Sequence, residues 1–513
     1  MSRVVGDLPA KGQNFVGMRT ALVAIDCLML MLSLVMYAQE DVWGYAFYGV
    51  LCTIIVHVPI ILRMVPALSI WGVLAFVVTI GAGIRGVVIA VGYPDRSTIT
   101  SLFTRGVRFS DLVPEAMVTV ACVLLLTAGF MITAGKSPKV SRKEGAKTGG
   151  AGLLATGRGG APFPLLICGY AAAGAVGTVL YSRAVGGLSA SISDRRTTYT
   201  GGADYASYGL AQFLAGAGTV GLLLFLCYRL SARRAWTPTT WVVLGILVIN
   251  AFAINWVTTT RADLLYVSFS VLLVVRIVKG RLPVGLVIGL AVAVILGIGL
   301  LSQARAAEPG ADSASEVSLS VGIDSGLLNR NAFDLSKTLL ISDAVPEALP
   351  LQHGATIANY VFAPIPRAVW PDKPVVSPGP IIGETLYGLS QTGVPPGLVG
   401  ELVWNFGAVP AVFLSGLAGL GLGRLSRMAD GWDPQRVVLV LAHALVLLPF
   451  GKAIMGVALG QAFSAAGQAL LLLLPLILLD RRLARSAAKK ARDEEVVRRR
   501  AGMTAPPTSS ANA

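Results

Sequence analysis

One stretch decides the fold of this chain: Val284-Gly-Leu-Val-Ile-Gly-Leu-Ala-Val-Ala-Val-Ile-Leu-Gly-Ile-Gly-Leu-Leu-Ser302, which contains no charged residue. A helix needs about 20 consecutive apolar residues to cross a bilayer, and stretches of this kind recur along the whole sequence. Hydrophobic residues make up 54% of the 513 residues and charged residues only 13%, whereas soluble domains carry about 25% charged residues. The mean hydropathy is +0.71. These values predict a membrane protein.

The apolar stretches predict an all-α polytopic membrane protein with about 12 transmembrane helices. We expect helices 1 to 9 within residues 1–302, one long loop over residues 303–402, and helices 10 to 12 within residues 403–479. A basic tail, residues 480–513, is expected to be disordered. The loop is too short for a catalytic domain with a core of its own, so we interpret it as a cap that lies on the helix bundle.

The distribution of charge predicts the orientation. If the helices alternate in direction, most of the 42 lysine and arginine residues fall on the side that holds both termini, and basic loops mark the cytoplasmic side. We therefore expect a multi-pass protein of the cytoplasmic (plasma) membrane with both termini cytoplasmic and the long loop extracytoplasmic. The net charge of +15 belongs to the cytoplasmic face. Because no basic face is interleaved with aromatic residues, we expect no nucleic-acid partner.

The cysteines and histidines argue against a metal or disulfide framework. All five cysteines lie inside apolar stretches and no two are close in sequence, and the chain has only three histidines. Cysteines in this setting are typical of small buried apolar residues. We expect no metal site and no cofactor.

The long loop has its own organisation. Apolar spacing predicts a helix over residues 330–345, and residues 355–362 predict a second short one. Between them and the next transmembrane helix lies Pro366-Arg-Ala-Val-Trp-Pro-Asp-Lys-Pro374, where proline excludes regular helix and favours extended backbone. A stiff, charged loop on a membrane scaffold is typical of a recognition or reaction site.

Charged residues near this loop are the candidates for chemistry. Arg85 lies well inside an apolar stretch, where a charge normally faces a polar cavity or a partner, so it either binds an anion within the bundle, pairs with an acid on another helix, or snorkels. Arg261 lies at a tight turn between two apolar stretches. Further cations are Arg305, Arg330, Lys337, Arg367, Lys373 and Lys452, and the nearby acids and bases are His353, Asp372, Glu384 and Glu401. Arginine and lysine without a metal-ligand set indicate metal-free binding of an anionic group, although each alone could be an ordinary solvated charge.

Another run, Gly416-Leu-Ala-Gly-Leu-Gly-Leu-Gly423, lies inside an apolar stretch and lacks the Lys-Ser/Thr pair of a phosphate loop. We interpret these glycines as contacts for close packing of membrane helices.

Several of these motifs together resemble a known family. Pro366–Pro374, preceded by Arg330-Asn-Ala-Phe-Asp and Gln352-His-Gly-Ala-Thr, resembles the large outer loop of Wzy-type O-antigen and oligosaccharide repeat-unit polymerases. Gly400-Glu-Leu-Val-Trp-Asn-Phe-Gly407 is similar to the start of that family's next transmembrane helix. Thr260-Arg-Ala-Asp-Leu-Leu resembles its Ser-Arg-Gly hairpin, with Thr for Ser and Ala for Gly. The related O-antigen ligases share the architecture.

The resemblance implies a metal-independent membrane-embedded glycosyltransferase of the cell envelope. A glycan on a polyprenyl diphosphate, such as undecaprenyl diphosphate, would pass to a sugar hydroxyl of another lipid-linked repeat unit at the outer face. Diphosphate-binding cations would be Arg261, Arg330, Arg367, Lys373, Arg85 and Lys452, and the candidate bases are His353, Glu384 and Glu401. Partners would be the lipid-linked oligosaccharide, membrane lipids, a chain-length regulator and a flippase. The alternatives are an O-antigen ligase-like transferase and a transporter or flippase of lipid-linked glycan.

Overall fold

The computed structural model describes residues 13–66, 68–92, 108–135, 162–184, 205–231, 235–258, 261–306, 334–362, 370, 372–374, 377–388, 394–430, 432 and 436–500. Within these ranges most residues are helical and none lies in a β-strand. The protein is therefore an all-α polytopic membrane protein, as its composition predicts.

The long helices carry the membrane-spanning stretches. They are α1 (Gln13–Tyr37), α2 (Trp43–Ile61), α5 (Val113–Ala134), α6 (Pro162–Ala184), α7 (Tyr205–Ser231), α8 (Pro238–Thr258), α9 (Arg261–Lys279), α10 (Val284–Ala306), α15 (Ala408–Asp430) and α18 (Leu459–Arg500). Eleven apolar stretches in the described part of the chain are long enough to cross a bilayer. Twelve were predicted; the eighth of them corresponds to α9, which is not among those eleven.

Two of the spans are interrupted by a π-helical turn. One consists of α3 (Ile70–Val78), a π segment (Thr79–Ile84) and α4 (Arg85–Ala90), and the other of α16 (Val437–Ala442), a π segment (His443–Leu447) and α17 (Leu448–Gly456). A π turn inserts an extra residue and rotates the helix face that follows, and such turns are frequent at functional sites. The first π segment ends directly before Arg85.

Two hydrophobic cores fill the bundle. One is formed by α2, α3, α5, α15 and α17 together with α14 (Gly397–Phe406). The other is formed by α6, α7, α8, α9 and α16. Helix α18 contributes Ala462 to the first core and Leu473 and Leu476 to the second. The last helix therefore joins the two halves of the bundle.

Four short helices form the cap, which we define as the described residues from 334 to 406. They are α11 (Leu335–Ala344), α12 (Ala355–Ala358, followed by a 3₁₀ turn at Asn359–Phe362), α13 (Gly379–Tyr387) and α14. The helices predicted over residues 330–345 and 355–362 are thus present in the described part of these ranges. Leu335 and Leu339 of α11 enter the first bundle core, while Ile341, Ile382 and Trp404 belong to a small cluster within the cap. The cap is therefore fastened to the bundle through α11.

The structure corrects two predicted boundaries. The tenth predicted transmembrane helix was expected to begin at Val403, but α14 ends at Phe406 and α15 begins at Ala408. Gly407 separates them with a φ of 84°, a left-handed conformation that favours glycine, so Glu401 lies on a separate cap helix. The tail was expected to be disordered from residue 480, yet α18 continues to Arg500. Its Ala, Leu, Lys, Arg and Glu residues are good helix formers.

Glycines hold α5 and α15 in close contact, as predicted for the run at 416–423. A Cβ atom on Gly419 would lie 2.0 Å from the Leu126 carbonyl oxygen, and one on Gly129 would lie 2.2 Å from the Gly416 carbonyl oxygen. Thr133 Oγ1 also donates to the Leu420 carbonyl oxygen at 2.7 Å. Small residues therefore let the two backbones approach, which is how membrane helices gain packing energy.

Gly419→Ala is expected to destabilise the protein by about 1–3 kcal/mol, because the methyl group forces α5 and α15 apart. Gly421→Ala is the matched control, since a Cβ there meets nothing within 4 Å. Thermal unfolding of both variants in detergent micelles checks this. Equal unfolding temperatures would contradict the packing role of Gly419.

Candidate functional site

A buried ion pair joins the bundle to the cap. Arg85 Nη2 lies 3.3 Å from Asp334 Oδ2, and both side chains are almost completely buried. Asp334 is also the N-cap of α11: its Oδ1 accepts from the Ser336 amide at 3.1 Å and from Ser336 Oγ at 2.7 Å. The Tyr45 hydroxyl of α2 donates to the same oxygen at 3.2 Å. One carboxylate therefore connects α2, α4 and the first turn of α11.

Lys337 adds a second buried cation beside this pair. Its side chain is buried in the first turn of α11. Burial lowers the pKa of Lys337 to about 8, an effect that Asp334 opposes and Arg85 increases. Burial favours a neutral carboxyl at Asp334, but Arg85, Lys337 and the hydrogen bonds from Ser336 and Tyr45 together hold the pKa of Asp334 below its ordinary value. Two buried cations therefore lie close to the Asp334 carboxylate.

Arg85 retains binding capacity. Its Nε and Nη1 atoms are buried and have no hydrogen-bond partner among the residues that the structure describes. A guanidinium can donate five hydrogen bonds and suits planar, bidentate acceptors. Unpaired buried donors are costly, so this geometry favours an additional anionic or polar acceptor. We name Arg85, Asp334, Lys337 and Tyr45 the cation cluster.

A second polar network surrounds Glu401 on α14. Thr356 Oγ1 donates to Glu401 Oε1 at 2.9 Å, and the Leu459 amide donates to Oε2. Asn405 Nδ2 donates to Thr356 Oγ1 and to the Glu401 carbonyl oxygen, each at 2.7 Å. Because Leu459 is the first residue of α18, Glu401 links the cap to the start of the last transmembrane helix. The Glu401 carboxyl group also lies at the N-terminus of α18, where the helix dipole favours a negative charge.

Glu401 is strongly perturbed by its surroundings. Burial raises the pKa of Glu401 to about 7, although the hydrogen bonds from Leu459 and Thr356 oppose the shift. A carboxyl with a pKa near neutrality can exchange protons at physiological pH. In this conformation Glu401 is completely buried and both of its oxygens are occupied, so its immediate role is to hold the cap.

The structure brings some of the other predicted residues near these groups. His353 is exposed, has a φ of 50°, and its amide donates to the Asn405 carbonyl oxygen at 2.9 Å; it therefore lies beside the Glu401 network. Glu384 is exposed on α13 and takes no part in the hydrogen bonds of the Glu401 network within the described residues. Lys452 Nζ lies 3.7 Å from the centroid of the Tyr266 ring, and Lys373 is half-buried.

Three predicted diphosphate-binding arginines cannot be placed in either group. Arg330 and Arg367 lie outside the described residues, and Arg261 begins α9 with a side chain that is not described. The side chain of Arg305 lies outside the described part as well. The prediction that these residues bind diphosphate stays a prediction.

Sequence reasoning missed Asp334, the acid that Arg85 contacts. Asp is a common N-cap, but the predicted helix over residues 330–345 placed Asp334 inside it, whereas α11 begins at Leu335. Of the three interpretations of Arg85, the structure shows the pair with an acid. Its Nε and Nη1 atoms have no hydrogen-bond partner among the described residues, so anion binding stays a prediction. The acid was expected on another helix, and it is the N-cap residue of the cap helix α11.

A third polar group lies on the other side of the first π segment. His57 Nδ1 is 2.9 Å from Asp26 Oδ2, and His57 Nε2 is 2.9 Å from Thr79 Oγ1. Asp26 and His57 are buried, and Thr79 begins the π segment that ends before Arg85. The span from Ile70 to Ala90 therefore carries a buried polar contact on each side of its π turn.

A large apolar cavity of about 810 Å³ lies between α6, α8, α9 and α10. Most of its lining is hydrophobic, including Phe252, Trp256, Leu264 and Leu300. Ser182 and Arg183 at the end of α6 also line it. Its wall at Leu264 lies one helical turn from Arg261, the first residue of α9. The cavity suits a long apolar chain with a polar or anionic end.

Asp334→Ala is expected to lower the free energy of unfolding by about 3–5 kcal/mol, because it leaves buried cations without their counter-charge. Adding Lys337→Met to Asp334→Ala should recover part of the loss, since it removes one of the two buried cations that the Asp334 carboxylate stabilises. Denaturant unfolding of the single and double variants in detergent measures both effects. A double variant no more stable than Asp334→Ala would contradict this electrostatic account.

Glu401 is expected to make stability depend on pH. Its pKa is raised in the folded state, from 4.5 to about 7, so the folded state binds the proton more tightly and the free energy of unfolding falls as pH rises between these values. The difference between the two pKa values corresponds to a contribution of about 3 kcal/mol to the free energy of unfolding. Glu401→Gln should remove this contribution, whereas Glu384→Gln, at an exposed position, should retain it. Unfolding measured from pH 5 to pH 8 checks the difference; parallel curves for Glu401→Gln and the wild type would refute it.

Comparison of the chain with protein-family models, with curated proteins and with solved structures found no match. The architecture and the clusters described above therefore rest on this sequence and its structure, and the resemblance of residues 330–424 to repeat-unit polymerases remains a hypothesis.

Proposed function

We propose that the protein polymerises oligosaccharide repeat units carried on a polyprenyl diphosphate, at the outer face of the cytoplasmic membrane. The observation that carries this proposal is the cation cluster, in which Arg85 and Lys337 are buried together with one carboxylate under the cap. The motif resemblance supplies the substrate class, and the buried cations supply a chemical reason for it. A diphosphate leaving group needs positive charge where negative charge develops.

In this proposal Asp334 is an internal anion that a substrate phosphate replaces. Arg85 and Lys337 are two cations next to Asp334, which contacts Arg85 directly. If Asp334 leaves, two cations face the two negative charges of a diphosphate diester. Arg85 contacts Asp334 through one nitrogen at 3.3 Å, and its Nε and Nη1 atoms find no acceptor among the described residues. A phosphate with several oxygens can therefore make more bonds than the carboxylate does.

The reaction follows from the leaving group. The oxygen of the acceptor sugar hydroxyl forms a bond to the anomeric carbon of the donor glycan. The bond between that carbon and the diphosphate oxygen breaks, and the polyprenyl diphosphate leaves with the electron pair. The hydroxyl proton passes to a base, for which His353, Glu384 and Glu401 are the candidates. Of these, Glu401 has a pKa of about 7, the value that suits a general base at neutral pH, and would have to leave its hydrogen bonds to Thr356 and Leu459 to act.

The apolar cavity between α6, α8, α9 and α10 supports the same proposal. Its volume of about 810 Å³ and its hydrophobic lining suit a segment of polyprenyl chain. Arg183 at its rim and the nearby Arg261 are cations that would meet phosphate. The carrier would thus lie with its chain among the transmembrane helices and its head group towards the cap.

Lys337→Gln is expected to abolish polymer and to leave single repeat units on the lipid carrier, because it removes one of the two buried cations. Lys279→Gln is the control: Lys279 ends α9 and is exposed, so normal chain lengths are expected. Lipid-linked glycans are analysed in a deletion strain complemented with each variant, and the membrane level and unfolding temperature of each protein are measured in parallel. Arg261→Ala and Arg367→Ala should act as Lys337→Gln does.

The same analysis separates the alternatives. Normal polymer on the carrier that is not attached to its final acceptor would instead assign a ligase. Repeat units retained on the cytoplasmic side would assign a flippase. Wild-type chain lengths in Lys337→Gln, Arg261→Ala and Arg367→Ala, with each protein present in the membrane, would overturn the proposed function.

A further inference from the structure

The 3₁₀ turn that follows α12, Asn359–Phe362, packs on the first turn of α18. A Cβ atom on Gly460 would lie 2.2 Å from Tyr360 Cδ2, so the Tyr360 ring covers this glycine closely. The apolar stretch of α18 that is long enough to cross a bilayer begins at Leu459. The turn is therefore held beside a transmembrane helix at the height where that helix enters the hydrocarbon.

Val361, in the middle of this turn, is the most exposed large hydrophobic side chain that the structure describes. Its exposed fraction is 76%. The next most exposed side chains of this kind, Ile132, Val284 and Ile249, all lie on membrane-spanning stretches, where lipid covers them. A side chain as exposed as Val361 is therefore typical of the lipid-facing surface of this protein, and Val361 has that exposure at the edge of a span.

Aromatic side chains lie on both sides of Val361 in the chain. Tyr360 precedes it, and Phe362 follows it. The Phe362 ring meets the Trp370 ring edge-on, with the two ring centroids 5.3 Å apart, and Trp370 is exposed. Trp and Tyr are enriched at the boundary between hydrocarbon and water, because one end of each ring system is apolar and the other polar. The composition of the turn thus suits the interfacial layer of a bilayer.

The surface of α18 next to the turn is also apolar and exposed. Residues three apart lie on the same side of a helix, so Phe463 lies on the side of α18 where Tyr360 covers Gly460. Phe463 is 58% exposed, and it belongs to a membrane-spanning stretch of which only 17% is buried by protein. An exposed phenylalanine on such a stretch faces lipid. The turn therefore adjoins the lipid-facing side of α18.

We propose that the turn Asn359–Phe362 and Trp370 form an interfacial anchor, which inserts Val361 among the lipids at the bilayer surface beside α18. The occupant of this patch is lipid, because the patch adjoins the lipid-facing side of a transmembrane helix. The anchor gives the cap a contact with the bilayer itself, in addition to its contacts with the helix bundle. This inference does not rest on the proposed function.

Fluorescence quenching of the full chain in phosphatidylcholine vesicles tests the anchor. Val361→Cys is labelled with bimane in a background where the exposed cysteines Cys27 and Cys168 are replaced by alanine, and the background alone reports any label on the buried cysteines. The lipid probe is phosphatidylcholine with bromine on its acyl chains close to the headgroup, and the aqueous probe is iodide. Phe463→Cys on α18 is the reference for lipid, and Glu384→Cys at an exposed acid of α13 is the reference for water.

The label at Val361→Cys should lose fluorescence in brominated vesicles, as the label at Phe463→Cys does, and should be protected from iodide. The label at Glu384→Cys should show the reverse. Quenching of the Val361→Cys label by iodide and not by brominated lipid would place this side chain in water and overturn the inference. Protection from both probes would overturn it as well, because protein would then cover the turn; if dilution of the protein in lipid restores quenching by iodide, that cover is a second copy of the chain.

Discussion

The contact between Arg85 and Asp334 is the constraint on which the rest of this structure depends. A charge in the apolar part of a membrane helix needs a partner or a polar cavity, and the only partner acid that the described residues offer to Arg85 is Asp334. Asp334 is at the same time the N-cap of α11. One carboxylate therefore satisfies a transmembrane arginine and begins the cap helix, so the cap cannot move away from the bundle without exposing an unpaired buried cation.

The packing around this contact shows why the cation is tolerated. The π turn from Thr79 to Ile84 brings Arg85 to the interior side of its span. Glycine allows α2 to approach this turn closely, since a Cβ atom on Gly49 would lie 2.3 Å from the Ala82 carbonyl oxygen. Close approach brings Tyr45 of α2 to Asp334. A buried ion pair adds little stability compared with apolar residues of similar volume, so its contribution here is to fix where α11 lies.

The fold class could be predicted from the sequence, and so could Arg85, Lys337 and Glu401 as candidate residues. The contacts that these side chains make could not. Apolar stretches predict the transmembrane helices because the bilayer imposes their length and composition, and apolar spacing predicts α11 and α12 for similar local reasons. The break at Gly407 was missed because the residues on both sides of it are apolar, so no change in hydropathy marks it. The role of Asp334 was missed because its partners are far away in sequence: Tyr45 and Arg85 lie about 250 or more positions before it. Glu401 was predicted as a base, but its hydrogen bond to the start of α18 depends on tertiary structure.

Burial raises the pKa of both Asp334 and Glu401, but the net shifts are opposite, and this difference follows from their partners. Two cations and three hydrogen bonds favour the charged form of Asp334 and lower its pKa. Glu401 accepts two hydrogen bonds, but no cation helps them to offset the effect of burial on its pKa. Under the proposed function, an incoming phosphate would compete with Asp334 for both Arg85 and the first turn of α11. Helix N-termini bind phosphate through their free amides, so the phosphate would take over both roles of the carboxylate. Either the Asp334 carboxylate or the substrate phosphate would then pair with Arg85 and cap α11. The position of α11 would therefore depend on whether substrate is bound.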